Sequence, residues 1–341
     1  MKISLDAGAF CGGRDSHFGN YVFTKNIIEA LALYDKKNQY FAYSFCRKPK
    51  GIPTYSNIIY QKLLPTFSWM RLRVSIDEFF TKKDVFLALN QSLPIYTKAK
   101  KIVFSHGLSF HFFPQYYPDS CEILKKQFGE MVKRADWLVV SSKKVKEEIT
   151  SAGRISEDKV IVIPYGVPFD MLDRAKLREK GKSNYFLYVG MNHPIKNIKF
   201  MIDSFRLFRQ KKEFSHFKLI MVTDRLLKNY PGNNIFIYKY VSRQRLAKLY
   251  QEATAYLTSS FYESFNFPIV EALVNNCPVI ALKSAVIPEL KKYVMMVSDM
   301  EEFVDQMKKV VKDKNGKINN DEIVKTFSWS NYVNKLTHLY D

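Results

Sequence analysis

The stretch that decides the fold is Tyr185–Asn197, which reads YFLYVGMNHPIKN. Its first five residues form a near-continuous apolar run, which is typical of a strand buried on both faces of a parallel sheet. Gly190 ends the run, and a helical pattern is predicted over Asn197–Gln210. A buried strand that leads directly into a helix is the first half of a βαβ unit, so this stretch predicts an α/β fold.

The same alternation of short apolar runs and helical patterns extends over the whole chain. Before this stretch, the predicted strands are Lys2–Leu5, Tyr40–Phe45, Val85–Ala88, Lys101–Ser105, Trp137–Ser141 and Val160–Ile163, and the helices include Asn20–Leu33 and Ser142–Ala152. After it, strands are predicted at Lys218–Val222, Ile235–Tyr238, Ala255–Thr258 and Val279–Ala281, with helices at Arg243–Glu252, Pro268–Asn275 and Met300–Lys312. The pattern predicts two open sheets in tandem, in which ligands bind outside the carboxyl ends of the strands.

The length of 341 residues favours two domains, because one hydrophobic core rarely grows to serve a chain of that size. The run Ile161–Pro168 ends a strand with proline and glycine, and a polar, charged stretch follows through Ser183. We therefore expect the first domain to cover residues 1–168 and the second to begin at residue 169.

A formal net charge of +20 predicts attraction to polyanions, although a lysine-rich surface can also serve solubility alone. Nucleic acid, an anionic membrane and phosphorylated substrates all fit this charge, but no nucleic-acid motif is present and we expect no nucleic-acid partner. An anionic membrane surface is therefore favoured over nucleic acid as the partner. Phe67–Arg73 offers an apolar edge, and cations cluster in Lys125-Lys126, Lys133-Arg134 and Lys143–Lys146.

The four cysteines, Cys11, Cys46, Cys121 and Cys277, show no C-x-x-C spacing, and we expect them to be reduced in a cytosolic protein. The first residues lack the apolar region of a secretory signal. No run approaches the roughly 20 apolar residues of a membrane-spanning helix. The expected location is the cytoplasm, with peripheral contact at the inner face of the membrane left open.

Three segments contain residues suited to phosphate or sugar binding. After the first strand, Gly12 and Gly13 allow close backbone approach to a phosphate, or simply turn the chain. Their spacing is not the dinucleotide fingerprint, so NAD is disfavoured and no cofactor is expected. After the strand at 185–189, Gly190 and Lys196 precede a helix, where the lysine can reach a diphosphate or can be an ordinary surface residue.

The third segment, Phe261–Leu273, carries two glutamates eight positions apart. Glu263 lies in a loop after a strand, and Glu271 lies one turn into a helix that begins near Pro268. A carboxylate can accept hydrogen bonds from two hydroxyls, so one glutamate suits a sugar and the other a ribose. The alternative is that Glu263 faces solvent and that Glu271 only stabilises the amino terminus of the helix through the helix dipole.

These residues resemble the retaining GT-B glycosyltransferases of family 4, which carry an E-x7-E motif in the donor-binding domain. The resemblance covers nearly the whole chain and includes Gly12-Gly13, His106-Gly107, Ile163–Val167, Lys196-Asn197, Tyr240-Val241, Arg243–Tyr250, Glu263 to Glu271, Asn276–Ile280, Ile287–Glu289 and Phe327–Trp329. It implies two Rossmann-like domains that face each other across a cleft. The nucleotide-sugar domain would cover residues 169–322, and a C-terminal helix in residues 323–341 would cross back to the acceptor domain.

The resemblance also implies roles for individual residues. His106, Lys196 and Glu263 would be catalytic, with His106 also near the acceptor. The donor, a nucleoside-diphosphate sugar, would contact Gly12, Gly13, Gly190, Lys196, Val241, Glu263, Ser264, Phe265, Asn266, Phe267 and Glu271. The sequence departs from the family at Gly107, which replaces an aspartate, and at Ser264 and Asn266, which replace glycines.

The resemblance implies retaining transfer of a mannose, rhamnose or glucose type of hexose to a saccharide or lipid-linked acceptor in surface polysaccharide synthesis. No Asp-x-Asp motif stands at a suitable strand end, so no metal is expected. Two other functions stay open: a sugar-nucleotide epimerase of the same architecture, and a non-catalytic basic protein that binds an anionic membrane or nucleic acid.

Overall fold

The computed structural model divides the chain into two compact units, Met1–Gly166 with Ser328–Asp341, and Val167–Phe327. It describes residues 1–12, 19–49, 51–172, 181–224, 232, 234–313 and 318–341. No helix in this described part of the chain has the length and apolar character needed to cross a membrane.

The first unit is built on a seven-stranded, fully parallel sheet with the order β3-β2-β1-β4-β5-β6-β7. Its strands are β1 (Lys2–Asp6), β2 (Gln39–Ser44), β3 (Ile58–Lys62), β4 (Val85–Ala88), β5 (Lys100–Ser105), β6 (Trp137–Val140) and β7 (Val160–Val162). Its helices before the second unit are α1 (Asn20–Tyr34), α2 (Val74–Phe80), α3 (Ser109–Phe112), α4 (Cys121–Arg134) and α5 (Lys143–Gly153). The strand order reverses between β1 and β4, which defines a topological switch point.

The second unit repeats this plan with six parallel strands in the order β10-β9-β8-β11-β12-β13. The strands are β8 (Tyr185–Val189), β9 (Lys218–Thr223), β10 (Ile235–Lys239), β11 (Ala255–Thr258), β12 (Val279–Leu282) and β13 (Met295–Val297). The helices are α6 (Phe169–Leu172), α7 (Ile198–Arg209), α8 (Arg243–Glu252), α9 (Phe267–Val274), α10 (Met300–Lys312) and α11 (Asn320–Thr326). Every residue of β8 is buried, as its apolar sequence predicts.

The last helix, α12 (Trp329–Thr337), belongs to the first unit. The Trp329 ring lies parallel to the ring of Tyr165, with centroids 6.5 Å apart, and within 6.4 Å of Phe23 on α1. Aromatic packing therefore fixes the end of the chain onto the first unit.

The structure contradicts the expectation that all four cysteines are reduced. Cys11 and Cys46 form a disulfide, whereas Cys121 and Cys277 are buried free thiols. The reason is the parallel pairing of β1 and β2, because each bonded cysteine follows the carboxyl end of one of these strands. A disulfide is uncommon in reducing compartments, so the predicted cytosolic location loses the support of these two cysteines.

Candidate functional site

The candidate site lies at the topological switch point of the second sheet. β8 and β11 are neighbours there, and the strand order reverses between them. The loops that follow these two strands leave from the same edge, which is where ligands bind in open parallel sheets. These loops contain Lys196 and Glu263.

Hydrogen bonds hold the two loops against each other. The Phe261 backbone N–H donates to the Ile195 carbonyl at 2.8 Å. The Ser259 hydroxyl donates to the Asn197 carbonyl at 2.9 Å. Because backbone atoms of both loops take part, the two segments form one surface rather than two independent turns.

Lys196 and Glu263 form an ion pair at the centre of this surface. Lys196 Nζ donates to Glu263 Oε1 at 2.7 Å, and the Ser260 hydroxyl donates to the same oxygen at 2.7 Å. The Lys196 side chain is 21% exposed and the Glu263 side chain 12% exposed. An ammonium group has three N–H donors and a carboxylate accepts several hydrogen bonds, so each group has capacity for a ligand beyond its partner.

The backbone geometry explains how Lys196 reaches this position. The lysine ends a short 3-10 helix, and Asn197 then adopts a left-handed conformation with φ of 50° before α7 begins. Asparagine tolerates that conformation better than most residues do. The lysine therefore stands beside the amino-terminal end of a 12-residue helix, whose dipole adds positive potential.

Gly190, a predicted donor contact, has a packing reason to be glycine. A Cβ atom at this position would lie 2.7 Å from the Tyr188 hydroxyl. That hydroxyl donates to the Met191 carbonyl at 3.2 Å, so it has little freedom to move aside. The glycine is accounted for without a ligand, and its role as a donor contact stays a prediction.

The segment Ser264–Phe267 leads into α9 and contains its first residue. Asn266 has φ of 70°, and its side-chain amide donates to the Ala285 carbonyl at 3.3 Å. Asparagine thus occupies a left-handed position where the family that the sequence resembles has glycine. The Phe265 and Phe267 side chains are buried, so only their backbone is suited to contact a donor; Ser264 is half-buried.

Glu271 lies in a different cluster from the lysine. Its carboxylate accepts from Arg243 Nη2 at 2.6 Å and from the Tyr250 hydroxyl at 3.2 Å. Arg243 also donates to Asp170 Oδ1 at 3.0 Å. The Glu271 side chain is only 3% exposed. The structure therefore links α6, α8 and α9 through one ion-pair network that the sequence did not indicate.

The electrostatics of this network favour the charged form of Arg243. Burial opposes the charge on Arg243, but Glu271 and Asp170 outweigh that effect and raise its pKa. Burial raises the pKa of Tyr250, and Glu271 raises it further, so this phenol stays a hydrogen-bond donor. Val241, a predicted donor contact, is half-buried in the turn between β10 and α8.

In the first unit, His106 follows β5 and both of its ring nitrogens have partners. Nε2 lies 2.7 Å from the Leu89 carbonyl, and Nδ1 lies 3.0 Å from the Tyr165 hydroxyl. A carbonyl can only accept, so Nε2 carries the proton and Nδ1 accepts from the tyrosine. Gly107 has φ of 95°, which disfavours the aspartate of the family that the sequence resembles. The arrangement accounts for His106 as a structural residue, and its catalytic and acceptor-binding roles stay predictions.

Burial lowers the pKa of His106 to about 4 from an ordinary value of 6.5. Between these values the unfolded chain binds one proton more than the folded one. As the pH falls from neutral to 4, the free energy of unfolding therefore falls by about 3 kcal/mol through this histidine.

We expect His106→Gln to be less stable than the parent at pH 7 and this difference to shrink toward pH 4. Urea denaturation of both proteins at each pH checks this, and a constant difference would contradict it.

The predicted glycine loop is only partly described. Gly12 is exposed with an extended backbone at the end of a 3-10 helix, Gly8–Cys11, while Gly13 lies outside the described residues. The disulfide at Cys11 ties the start of this loop to the end of β2. The role of the loop in donor binding stays a prediction.

A groove of about 660 Å³ opens at the opposite, amino-terminal edge of the first sheet. Its lining includes Lys2, Lys36, Lys37, Lys82 and Asp84. Ligands of doubly wound sheets bind at the carboxyl ends of the strands, so we place the candidate site at the Lys196–Glu263 pair instead.

Comparison with known structures defines the fold. The sucrose-phosphate synthase (tll1590) from Thermosynechococcus elongatus superposes with a TM-score of 0.73 at 16% identity, covering 100% of this chain and 98% of that one. The predicted fold class, α/β with two Rossmann-like domains of the GT-B type, is confirmed.

Sequence comparison agrees with the resemblance at the level of a group of glycosyltransferases. Residues 170–325 match the family described as Glycosyl transferases group 1, and this stretch contains Lys196, Glu263 and Glu271. The O-antigen chain mannosyltransferase RfbU of Salmonella typhimurium is 30% identical over 226 residues, 62% of this chain and 59% of that protein. The O-antigen chain mannosyltransferase B of Escherichia coli is 24% identical over 57% of this chain and 56% of its own. The chain thus spans less than two thirds of the length of these relatives.

Proposed function

We propose that the chain is a retaining glycosyltransferase that moves a hexose from a nucleoside-diphosphate sugar to a saccharide or lipid-linked acceptor. The observation that carries the proposal is the Lys196–Glu263 ion pair, placed at the switch point of the unit that matches Glycosyl transferases group 1. A cation and a carboxylate side by side suit a ligand with a diphosphate on one side and sugar hydroxyls on the other.

The proposed chemistry divides the work between these two side chains. The bond from the anomeric carbon to the diphosphate oxygen breaks, and the charge that develops on the leaving oxygen is stabilised by Lys196 and by the amides at the start of α7. The departing phosphate oxygen takes the proton of the acceptor hydroxyl on the same face, and the acceptor oxygen forms the new bond to the anomeric carbon. Glu263 holds the hydroxyls of the transferred sugar. The reaction needs neither a metal nor a cofactor beyond the donor in this proposal.

The transferred sugar is proposed as mannose first, with rhamnose and glucose as alternatives. The support is that two relatives are named as mannosyltransferases of O-antigen chains. Their names also support a place in surface polysaccharide synthesis. The predicted cytoplasmic location stays a prediction.

A thermal-shift panel of GDP-, UDP-, ADP- and dTDP-sugars tests the proposal. A donor present at about 100 times its Kd stabilises the folded state by about 2.7 kcal/mol, so one base should raise the melting temperature clearly. No rise with any donor would contradict donor binding. Turnover of the donor without an acceptor would favour the epimerase instead, and NMR of the anomeric proton in the product would test retention.

A further inference from the structure

We propose that the first unit carries a docking surface for an anionic lipid bilayer, centred on residues 67–80. Five large apolar side chains in this segment project from the protein, and we call them the apolar ridge. They are Phe67 at 82% exposure, Phe80 at 78%, Phe79 at 64%, Ile76 at 51% and Leu72 at 47%. Single exposed apolar residues are ordinary, but five within one segment of 14 residues indicate an interaction site.

The α2 helix exposes apolar side chains and buries an acidic one, which is the reverse of an ordinary surface helix. Its Phe79 and Phe80 face outward, whereas Glu78 is buried. The Glu78 carboxylate accepts from the Thr97 hydroxyl at 2.6 Å and from the Tyr43 hydroxyl at 3.1 Å. Because the buried carboxylate has these partners, its hydrogen bonds fix the orientation of the helix and keep the phenylalanines in solvent.

The sequence placed the apolar edge at Phe67–Arg73, and the structure corrects that assignment in part. Trp69 and Met70 are buried in a π-helical turn before α2, so they anchor the segment instead of facing a partner. The Trp69 ring packs edge-on against the Phe45 ring, with centroids 5.4 Å apart. The outward-facing residues therefore extend further along the chain, to Phe80.

The apolar ridge continues onto a neighbouring loop. The Phe79 ring lies 5.2 Å from Phe80 and 5.5 Å from Tyr96, measured between centroids. Ile95 beside it is 52% exposed. The Ile95 backbone N–H donates to the Arg71 carbonyl at 3.2 Å, which attaches this loop to the ridge segment. The surface is thus formed by two chain segments held together, not by one frayed helix.

Positive charge borders the apolar ridge. Arg71 pairs with Glu130 of α4 at 2.7 Å, which brings that helix next to the ridge segment. α4 carries exposed Lys126 and Lys133, and Lys82 is exposed just after α2. Apolar side chains bordered by lysines match the interface of a bilayer with anionic headgroups, in which rings enter the acyl boundary and lysines meet phosphates.

The charge also argues against a second copy of the chain as the occupant. A two-fold contact would place equal lysine clusters opposite each other, and the net charge of +20 would add to their repulsion. An anionic bilayer causes no such repulsion, and its headgroups attract the same lysines.

This inference does not rest on the proposed sugar transfer, because it concerns a surface of the first unit that needs no donor.

Co-sedimentation with lipid vesicles tests the inference on the full chain without any sugar nucleotide. We expect binding to phosphatidylcholine vesicles that contain about 30% phosphatidylglycerol, and weak binding to phosphatidylcholine alone. Phe79→Ser/Phe80→Ser should weaken binding by about tenfold or more, because two exposed rings that would enter the bilayer are lost. Lys126→Gln/Lys133→Gln should weaken it by about fivefold per lysine, and salt near 0.5 M should mimic that loss.

A matched control replaces two exposed apolar residues of the second unit, Leu207→Ser/Phe236→Ser, and should leave vesicle binding unchanged. Phe67→Ser, which lies outside the helix, gives a second test if the double phenylalanine variant fails to fold. Equal binding by the parent and the ridge variants would overturn the proposal. A dimer in solution that Phe79→Ser/Phe80→Ser dissociates, with no vesicle binding, would assign the ridge to a second copy instead.

Discussion

Replacing Lys196 with methionine is expected to lower kcat/KM for sugar transfer by about 100-fold or more. Lys196 Nζ lies 2.7 Å from Glu263 Oε1 at the switch point of the second sheet. Methionine keeps most of the length and the apolar stem of the lysine but removes the charge that would face the departing diphosphate. Because a transition-state charge is affected, kcat should fall together with kcat/KM.

Lys199→Met is the matched control for this experiment. Lys199 lies three residues further along, in the first turn of α7, and its side chain is 75% exposed and paired with Asp203. An exposed pair of this kind contributes little to stability, and the residue is not part of the candidate site. We expect its kinetics to match the parent within about twofold. Equal losses in both variants, or full activity of Lys196→Met, would contradict the assigned role.

Glu271→Ala is expected to lower the free energy of unfolding by about 3 kcal/mol. The substitution removes the carboxylate that accepts from Arg243 and Tyr250 and leaves both donors without that partner. Breaking a largely buried pair on one side costs more than the pair contributes, because Arg243, whose side chain is only 31% exposed, then keeps Asp170 as its acidic partner but loses Glu271. Urea denaturation measures the change.

The control for that substitution is Glu252→Ala in α8. Its carboxylate lies 3.9 Å from Lys248 at the helix surface, so the change should stay below about 1 kcal/mol. A similar loss of unfolding free energy in both variants would show that the network around Glu271 stabilises the fold no more than a surface ion pair does. The Glu271→Ala protein should also lose donor affinity in a calorimetric titration below its melting temperature, if the carboxylate binds the ribose as predicted.

The central strands of both sheets could be predicted, because burial on both faces demands near-continuous apolar sequence. β8 and β11 are the clearest cases. The edge strands β3 and β13 were not predicted, since few of their residues are buried and their sequence carries little pattern. Helix α4 was also missed, because only Cys121 and Met131 of its 14 residues are fully buried.

The candidate site shows a similar division. Lys196 and Glu263 could be predicted together because both follow strands that end at the same sheet edge. The partners of Glu271 could not, since Asp170 and Arg243 are far apart in sequence and meet only through packing. The Cys11–Cys46 bond was missed for the same reason: it depends on the pairing of β1 with β2.

The most direct test of the central claim is the crystal structure of the protein with its preferred nucleoside-diphosphate sugar. We expect a diphosphate oxygen within hydrogen-bond distance of Lys196 Nζ and sugar hydroxyls that donate to Glu263. A donor bound elsewhere, such as in the lysine-lined groove at the amino ends of the first sheet, would contradict the account.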